Sequence, residues 1–235
     1  MESPIVLVTG AGGALGRAVR ERLTRDGARL ALLDRRLPSG DARGAAADGA
    51  AAAPPWAAAV DLLDEAAVAD AVARIEDEVG PVRSALLLAG GFATAPAADT
   101  DLGAIRGQLD VNLATAASVV RALLPRMTER GEGTIVGIAA GQARRGGAQA
   151  AAYAASKAAL AAYLRAVDEE TAGRGVRTVT VFPMGTLDTA ANREAMPGAD
   201  PGRWIDPARL AEVLVFAANL GPRARLREVE VHPDA

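Results

Sequence analysis

The 235-residue chain has no cysteine, one histidine and one lysine, and each shortage removes a class of chemistry. Without cysteine there is no disulfide, thiol nucleophile or iron–sulfur cluster, and the donors of an ordinary zinc site are missing. The only histidine, His232, is expected on the surface, which leaves Ser–His–acid hydrolysis without a base. No run of 18 uncharged apolar residues occurs, and the first residues lack a basic n-region with a cleavage site. The protein is therefore expected to be soluble and cytoplasmic, with no membrane partner. The 26 basic side chains are outnumbered by 29 acidic ones. The arginines are scattered rather than striped, so a nucleic-acid partner is not expected.

What is present is an alternation of apolar runs and helical periodicity. Ile5–Val8, Leu30–Leu33, Ala57–Val60, Ala85–Leu88, Thr134–Ile138, Arg177–Phe182 and Val229–Val231 read as strands. Ala85–Leu88 is apolar throughout, as a strand buried on both faces of a parallel sheet must be. Between the strands, Leu15, Val19 and Leu23 share one helical face, and Asp64 caps a helix that Gly80-Pro81 stops near Val79. Helices are also expected over Leu102–Arg130 and Gln149–Thr171, with a last one opened by Asp206-Pro207. Arg35–Pro55, rich in Ala, Gly and Pro, reads as a solvated loop. The pattern predicts an α/β fold. It is a Rossmann-type, doubly wound, seven-stranded parallel sheet flanked by helices, with residues 1–235 forming a single dinucleotide-binding and catalytic domain.

In such a sheet the ligand crevice lies at the carboxyl ends of the strands, where the strand order reverses. The first strand-to-helix turn reads Thr9-Gly10-Ala11-Gly12-Gly13-Ala14-Leu15-Gly16. Glycines at 10, 13 and 16 permit a sharp turn, close approach of backbone N–H groups to a pyrophosphate, and tight packing of helix on strand. Asp34 closes the second strand, where a carboxylate accepts from both ribose hydroxyls and repels a 2′-phosphate. That favours NAD(H), while Arg35 beside it keeps NADP(H) open by offering a guanidinium to that phosphate. Asp61 ends the third strand and is either an adenine acceptor, with Leu62 beside it, or a helix cap.

Tyr153 and Lys157 stand at i, i+4 on a predicted helix, which puts phenol and ammonium on one face, one turn apart. A cation there is expected to lower the phenol from near 10 toward neutrality and make it a usable acid. Lys157 is the only lysine against 25 arginines, and Tyr153 one of two tyrosines, so the pairing is unlike a chance YxxxK.

With these residues the sequence resembles the short-chain dehydrogenase/reductase family over nearly its whole length. The glycine turn, Asp34, Asp61, Leu88-Ala89-Gly90, Asn112, and Tyr153 with Lys157 each stand where that family's pattern places them. The resemblance implies hydride transfer from a nicotinamide, with Tyr153 as acid, Lys157 holding ribose and tuning the phenol, and Asn112 anchoring a relay water. It extends the cofactor site over Thr9, Gly10, Gly13, Ala14, Leu15, Gly16, Asp34, Arg35, Asp61, Leu62, Ala89, Gly90, Lys157, Pro183 and Thr186. It also implies a homodimer or homotetramer through the helix around Asn112 and the alanine-rich Gln149–Thr171 helix.

The chain departs from the family in three places. Ala14 stands where the usual turn has glycine, and Met184 separates Pro183 from Gly185. Ala140 occupies the position, thirteen residues before Tyr153, where the family carries a substrate-orienting serine. Gln142 and Gln149 are candidate replacements for its donor, and are equally read as surface residues. Gly185–Thr189, Asn192-Arg193, Met196-Pro197, Ala199-Asp200 and Trp204, together with Ala89-Gly90-Gly91-Phe92, resemble dihydropteridine reductases. These are short members with alanine at the serine position and a preference for NADH. Related bacterial reductases share the same run. The stretch around 185–206 then reads as a lid over the substrate.

The expected activity is an NAD(P)H-dependent reduction, NADH favoured, of a small conjugated imine, quinonoid or carbonyl substrate, with quinonoid dihydropteridine as one candidate. The alternative is a non-catalytic NAD(P)-binding sensor or scaffold, and the absent serine motivates it. No metal is expected at the site.

Overall fold

The computed structural model describes residues 5–37, 55–221 and 223–234. Most of the loop read over Arg35–Pro55 lies outside the described residues. Seven parallel strands form one sheet in the order β3-β2-β1-β4-β5-β6-β7. They are β1 Ile5–Thr9, β2 Arg29–Asp34, β3 Trp56–Ala59, β4 Val82–Leu87, β5 Gly133–Ile138, β6 Val176–Pro183 and β7 Glu228–Val231. The order reverses between β1 and β4, and this is the switch point at which an open α/β sheet presents its crevice.

Successive strand side chains point to opposite faces, and both faces here are covered. On one face Ile5, Leu7, Ala31 and Leu33 pack against α2 (Glu65–Glu78), α4 (Thr115–Arg130) and α6 (Ala151–Glu170), through Val72, Ile75, Val119, Leu123, Leu160 and Leu164. On the other, Val6, Val8, Leu30 and Leu32 meet α1 (Ala14–Arg25) and α8 (Pro207–Asn219), through Val19, Leu23, Leu210 and Leu214. Leu7, Val8, Leu32 and Leu33 are fully buried, and truncating one of these leucines to alanine is expected to cost about 2–5 kcal/mol.

The helix ends follow their caps. Asp64 accepts from the N–H groups of Ala66 and Ala67, Asp206 accepts from Ala208 with Pro207 in the first turn, and Gly131 ends α4 at φ 68°. Two elements differ from the sequence expectation. The helix expected over Leu102–Arg130 is interrupted: α3 (Leu102–Leu109) passes into a π-helical turn, Asp110–Ala114, before α4 begins. Such turns insert one residue into a helix and recur at functional sites; this one carries Asn112. A four-residue helix, α5 (Gln142–Arg145), also precedes α6.

After β6 the chain makes a closed excursion. Its ends are tied, since Ile205 N–H donates to the Thr186 carbonyl at 2.8 Å and Asp188 N–H to the Ile205 carbonyl at 2.9 Å. Between them α7 (Ala190–Ala195) stands mostly exposed. Among the described residues, no helix is long and apolar enough to cross a membrane.

Candidate active site

The turn after β1 is glycine by necessity at two positions. Gly10 sits at φ 64°, and a Cβ there would lie 2.7 Å from the backbone nitrogen of Ala89. A Cβ on Gly16 would lie 2.3 Å from the Gly10 carbonyl oxygen, so α1 rests directly on the turn. Thr9 is buried beneath, its Oγ1 accepting from Leu88 N–H at 3.1 Å and Ala89 N–H at 3.2 Å. Gly13 is the N-cap of α1 and supplies no side-chain acceptor. The N–H groups of the first turn, formed by Ala14 and Leu15, are thereby left for an anion.

Around this turn opens a cavity of about 410 Å³. It brings together nine of the residues singled out in the sequence: Gly10, Gly13, Asp34, Arg35, Asp61, Leu62, Leu88, Ala89 and Gly90. Asp34 is anchored, Oδ2 accepting from Gly12 N–H at 3.0 Å and Oδ1 from Arg36 N–H at 3.3 Å. Asp61 accepts from Leu63 N–H at 3.0 Å. The opposite wall, Gly107, Asp110, Val111 and Thr115, was not legible in the sequence because it depends on how the π-helical turn approaches β4. The cavity is thus lined by three carboxylates and one guanidinium. A cavity that joins a glycine cradle to the anchored carboxylate of Asp34 fits the phosphate and ribose of a dinucleotide. Ala14, Leu15 and Gly16 do not line this cavity; Gly16 is buried and Leu15 packs against the α1 side of the core.

At the far side of Gly90 lie Asn112, Tyr153 and Lys157. A Cβ on Gly90 would stand 2.8 Å from Asn112 Oδ1 and 3.3 Å from Lys157 Nζ. Fully buried Asn112 clamps the next residue, Oδ1 accepting from Gly91 N–H at 3.1 Å and Nδ2 donating to the Gly91 carbonyl at 2.9 Å. Nδ2 also reaches Ser156 Oγ at 3.1 Å and Gln108 Oε1 at 3.3 Å. Its two N–H groups are therefore engaged, and the amide has none to give a relay water. Sequence reasoning missed Ser156, whose Oγ also donates to the Tyr153 carbonyl at 2.8 Å.

The expected tuning of the phenol is not what the structure shows. Burial pushes Tyr153 up to about 12, and burial pushes Lys157 down to about 8. The ammonium donates to the Ile138 carbonyl at 2.9 Å, so the i, i+4 spacing delivers proximity while β5 sets the direction of Nζ. The Tyr153 ring meets exposed Phe92 edge-on, with centroids 4.7 Å apart and planes at 89°.

Ala140 is buried at the end of β5 and offers a methyl group. Of the two glutamines, Gln142 is half-buried on α5 with its Cγ beside Gly147, and Gln149 is exposed at φ 58°, its carbonyl accepting from Ala95 N–H at 2.8 Å. Pro183 is buried at the end of β6 and accepts from Gly141 N–H at 2.8 Å, and Thr186 is half-buried where the excursion begins. Neither reaches the 410 Å³ cavity. His232 is exposed beside Glu230, 3.2 Å away. Among the described residues, no cluster of His, Asp or Glu is placed to hold a metal ion.

Comparison with known proteins gives one answer. The short chain dehydrogenase family profile matches residues 4–199. An oxidoreductase of Myxococcus xanthus is 33% identical over 193 residues, covering 81% of this chain and 76% of its own. The crystal structure of a short-chain dehydrogenase/reductase from Burkholderia xenovorans superposes with a TM-score of 0.84 at 29% identity, over 97% of this chain and 94% of the other. ElxO, solved with NADP bound, shares the fold at a TM-score of 0.86 and 15% identity, over 98% and 97% of the two chains.

Proposed function

The chain belongs to the short-chain dehydrogenase family, and from that premise we propose that it is an NADH-preferring reductase of a planar conjugated imine or quinonoid substrate, such as a quinonoid dihydropteridine. The observation that carries this reading is the donor set: one half-buried phenol, Tyr153, and a methyl group, Ala140, where the family places a hydroxyl. Losing a hydroxyl donor aimed at a developing oxyanion costs about a hundred- to thousandfold for a simple ketone. A conjugated acceptor spreads the incoming charge over its own ring and needs one acid. Exposed Phe92, edge-on to Tyr153, offers such a ring an apolar neighbour.

NADH, when bound, supplies the hydride; the chain supplies position and the proton. Tyr153, kept protonated by burial, donates the proton from its hydroxyl to the reduced acceptor. Lys157 spends one N–H on Ile138 and keeps two for a ribose hydroxyl and the phenol. Asn112 and Ser156 fix the Gly90–Phe92 segment against α6. Gly10, Gly13 and the first turn of α1, with Ala14 and Leu15, take the pyrophosphate. Asp34 takes the adenosine ribose, and Asp61 with Leu62 borders the adenine. Pro183 and Thr186 border the nicotinamide, and the tied 185–206 excursion is its lid. Against a 2′-phosphate, Asp34, Asp61 and Asp110 outnumber Arg35, which supports NADH over NADPH. The chain assembles as a homodimer or homotetramer through α4 and α6.

Ala140→Ser tests the reading. The change should leave kcat/KM on a quinonoid dihydropterin within a few fold and raise it more on an activated ketone. A large gain on the pterin marks the missing hydroxyl as a defect and moves the non-catalytic sensor ahead.

A further inference from the structure

Three arginines stand around the carboxyl ends of β5 and β6, and they differ in what neutralises them. Arg144 pairs with Glu228, lies 3.0 Å from Glu230, and covers the Phe182 ring with its guanidinium 4.0 Å from the centroid. Arg193 is held bidentately by Asp188 at 2.6 and 2.7 Å. Arg145, next to Arg144 on α5, has no carboxylate within ion-pair distance among the described residues. Its one side-chain hydrogen bond runs from Nη2 to the Met184 carbonyl at 3.0 Å.

The place of that guanidinium is specific. A Cβ on Gly141 would lie 2.9 Å from Arg145 Nη2 and 3.3 Å from the Met184 Cα, so the cation covers the residue that directly follows Ala140. The guanidinium occupies the space that a side chain at Gly141 would take. The Arg145 N–H groups not used on Met184 remain free, on an exposed side chain, next to the position that lost its hydroxyl.

We propose that Arg145 is a specificity-determining residue that receives a carboxylate substituent of the substrate. This rests on the reductase reading for the identity of the cleft and narrows its substrate class to planar acceptors bearing an acid group. A guanidinium with two adjacent N–H groups matches a carboxylate bidentately, whereas an ammonium meets it as a point charge. The Met184 carbonyl restrains the head group before the substrate arrives, which lowers the ordering cost of binding.

The test uses benzoate and benzamide as probes of the full-length protein saturated with NADH, by isothermal titration, so that it does not depend on turnover. Benzoate should bind the wild type and weaken about ten- to hundredfold in Arg145→Gln, the loss typical of one charge-assisted contact. Arg145→Lys should recover part of it, and benzamide should bind equally to all three. Benzoate binding that is absent from the wild type, or unchanged by Arg145→Gln, overturns the assignment, as does equal weakening of benzoate and benzamide. Failure of the reductase reading shows separately, as no NADH oxidation with any acceptor while the benzoate result still judges Arg145.

Discussion

Raising the pH from about 7 to about 10 should make this protein more resistant to urea, and Lys157→Met should abolish that rise. The chain suits the measurement: Lys157 is its only lysine, and it has no cysteine to ionise in the same range. Its two tyrosines, Tyr153 and Tyr163, are both pushed upward in the fold by burial. Above about pH 9 the phenols of the unfolded chain therefore ionise first and lower stability, an opposing effect that both proteins share and that leaves the difference between them to Lys157. Burial pushes Lys157 down to about 8 from an ordinary 10.5. Between those values the unfolded chain still holds a proton that the folded chain has released, so stability climbs with pH. Below the lower value the fold carries the full cost of a buried ammonium. At about 1.4 kcal/mol per tenfold change in an equilibrium, the rise amounts to about 3 kcal/mol. Solvent screening removes little of this, because Lys157 is 5% exposed. Lys157→Met also strips the Ile138 carbonyl of its donor, a loss of about 1–3 kcal/mol, so the two proteins should be of similar stability at pH 7 and diverge above pH 8. Urea midpoints and slopes for both, at four pH values across the window, measure this; the α-amino group titrates in both and cancels. Parallel curves would refute the inference that a charged ammonium sits buried without a carboxylate partner among the described residues.

Asp34→Ala should narrow the preference for NADH over NADPH by removing the ribose acceptor and the repulsion together, as kcat/KM for the two cofactors will show; equal values in the unmutated protein sink the assignment. Gly16→Ala should destabilise the fold by about 1–3 kcal/mol or more and weaken dinucleotide binding with it, because backbone lies 2.3 Å from the new carbon. Urea melts and NADH titration of the folded fraction separate the two effects.

The parts of this molecule that were legible in its sequence are those that local backbone demands dictate. A strand followed by Gly10 and Gly16 has one conformation that serves a crossing helix, and Asp34 falls at the end of the neighbouring strand because strand length and helix length are both set by the core. Asp64 and Asp206 announced their helices by capping chemistry. The rest depends on segments distant in sequence. The engagement of Asn112 with Gly91 and Ser156 spans 21 and 44 residues, and no spacing rule reaches that far. The π-helical turn at Asp110–Ala114 inserts a residue that periodicity reads straight through. Helical spacing brought Lys157 to the same face as Tyr153, yet the carbonyl of Ile138 turns Nζ, and only the packing of α6 on β5 reveals it. Arg144 and Arg145 are indistinguishable as letters; one meets the β7 glutamates and the other covers Gly141.

The central claim is that this chain passes hydride from NADH to a conjugated acceptor with Tyr153 as the acid. Loss of NADH absorbance with a quinonoid dihydropterin, in the wild type and in Tyr153→Phe, tests it most directly. The account predicts turnover in the wild type and a fall of about a hundred- to ten-thousandfold in Tyr153→Phe, with NADH affinity unchanged. Wild-type protein that binds NADH yet oxidises none of it, or Tyr153→Phe that turns over at the wild-type rate, would contradict it.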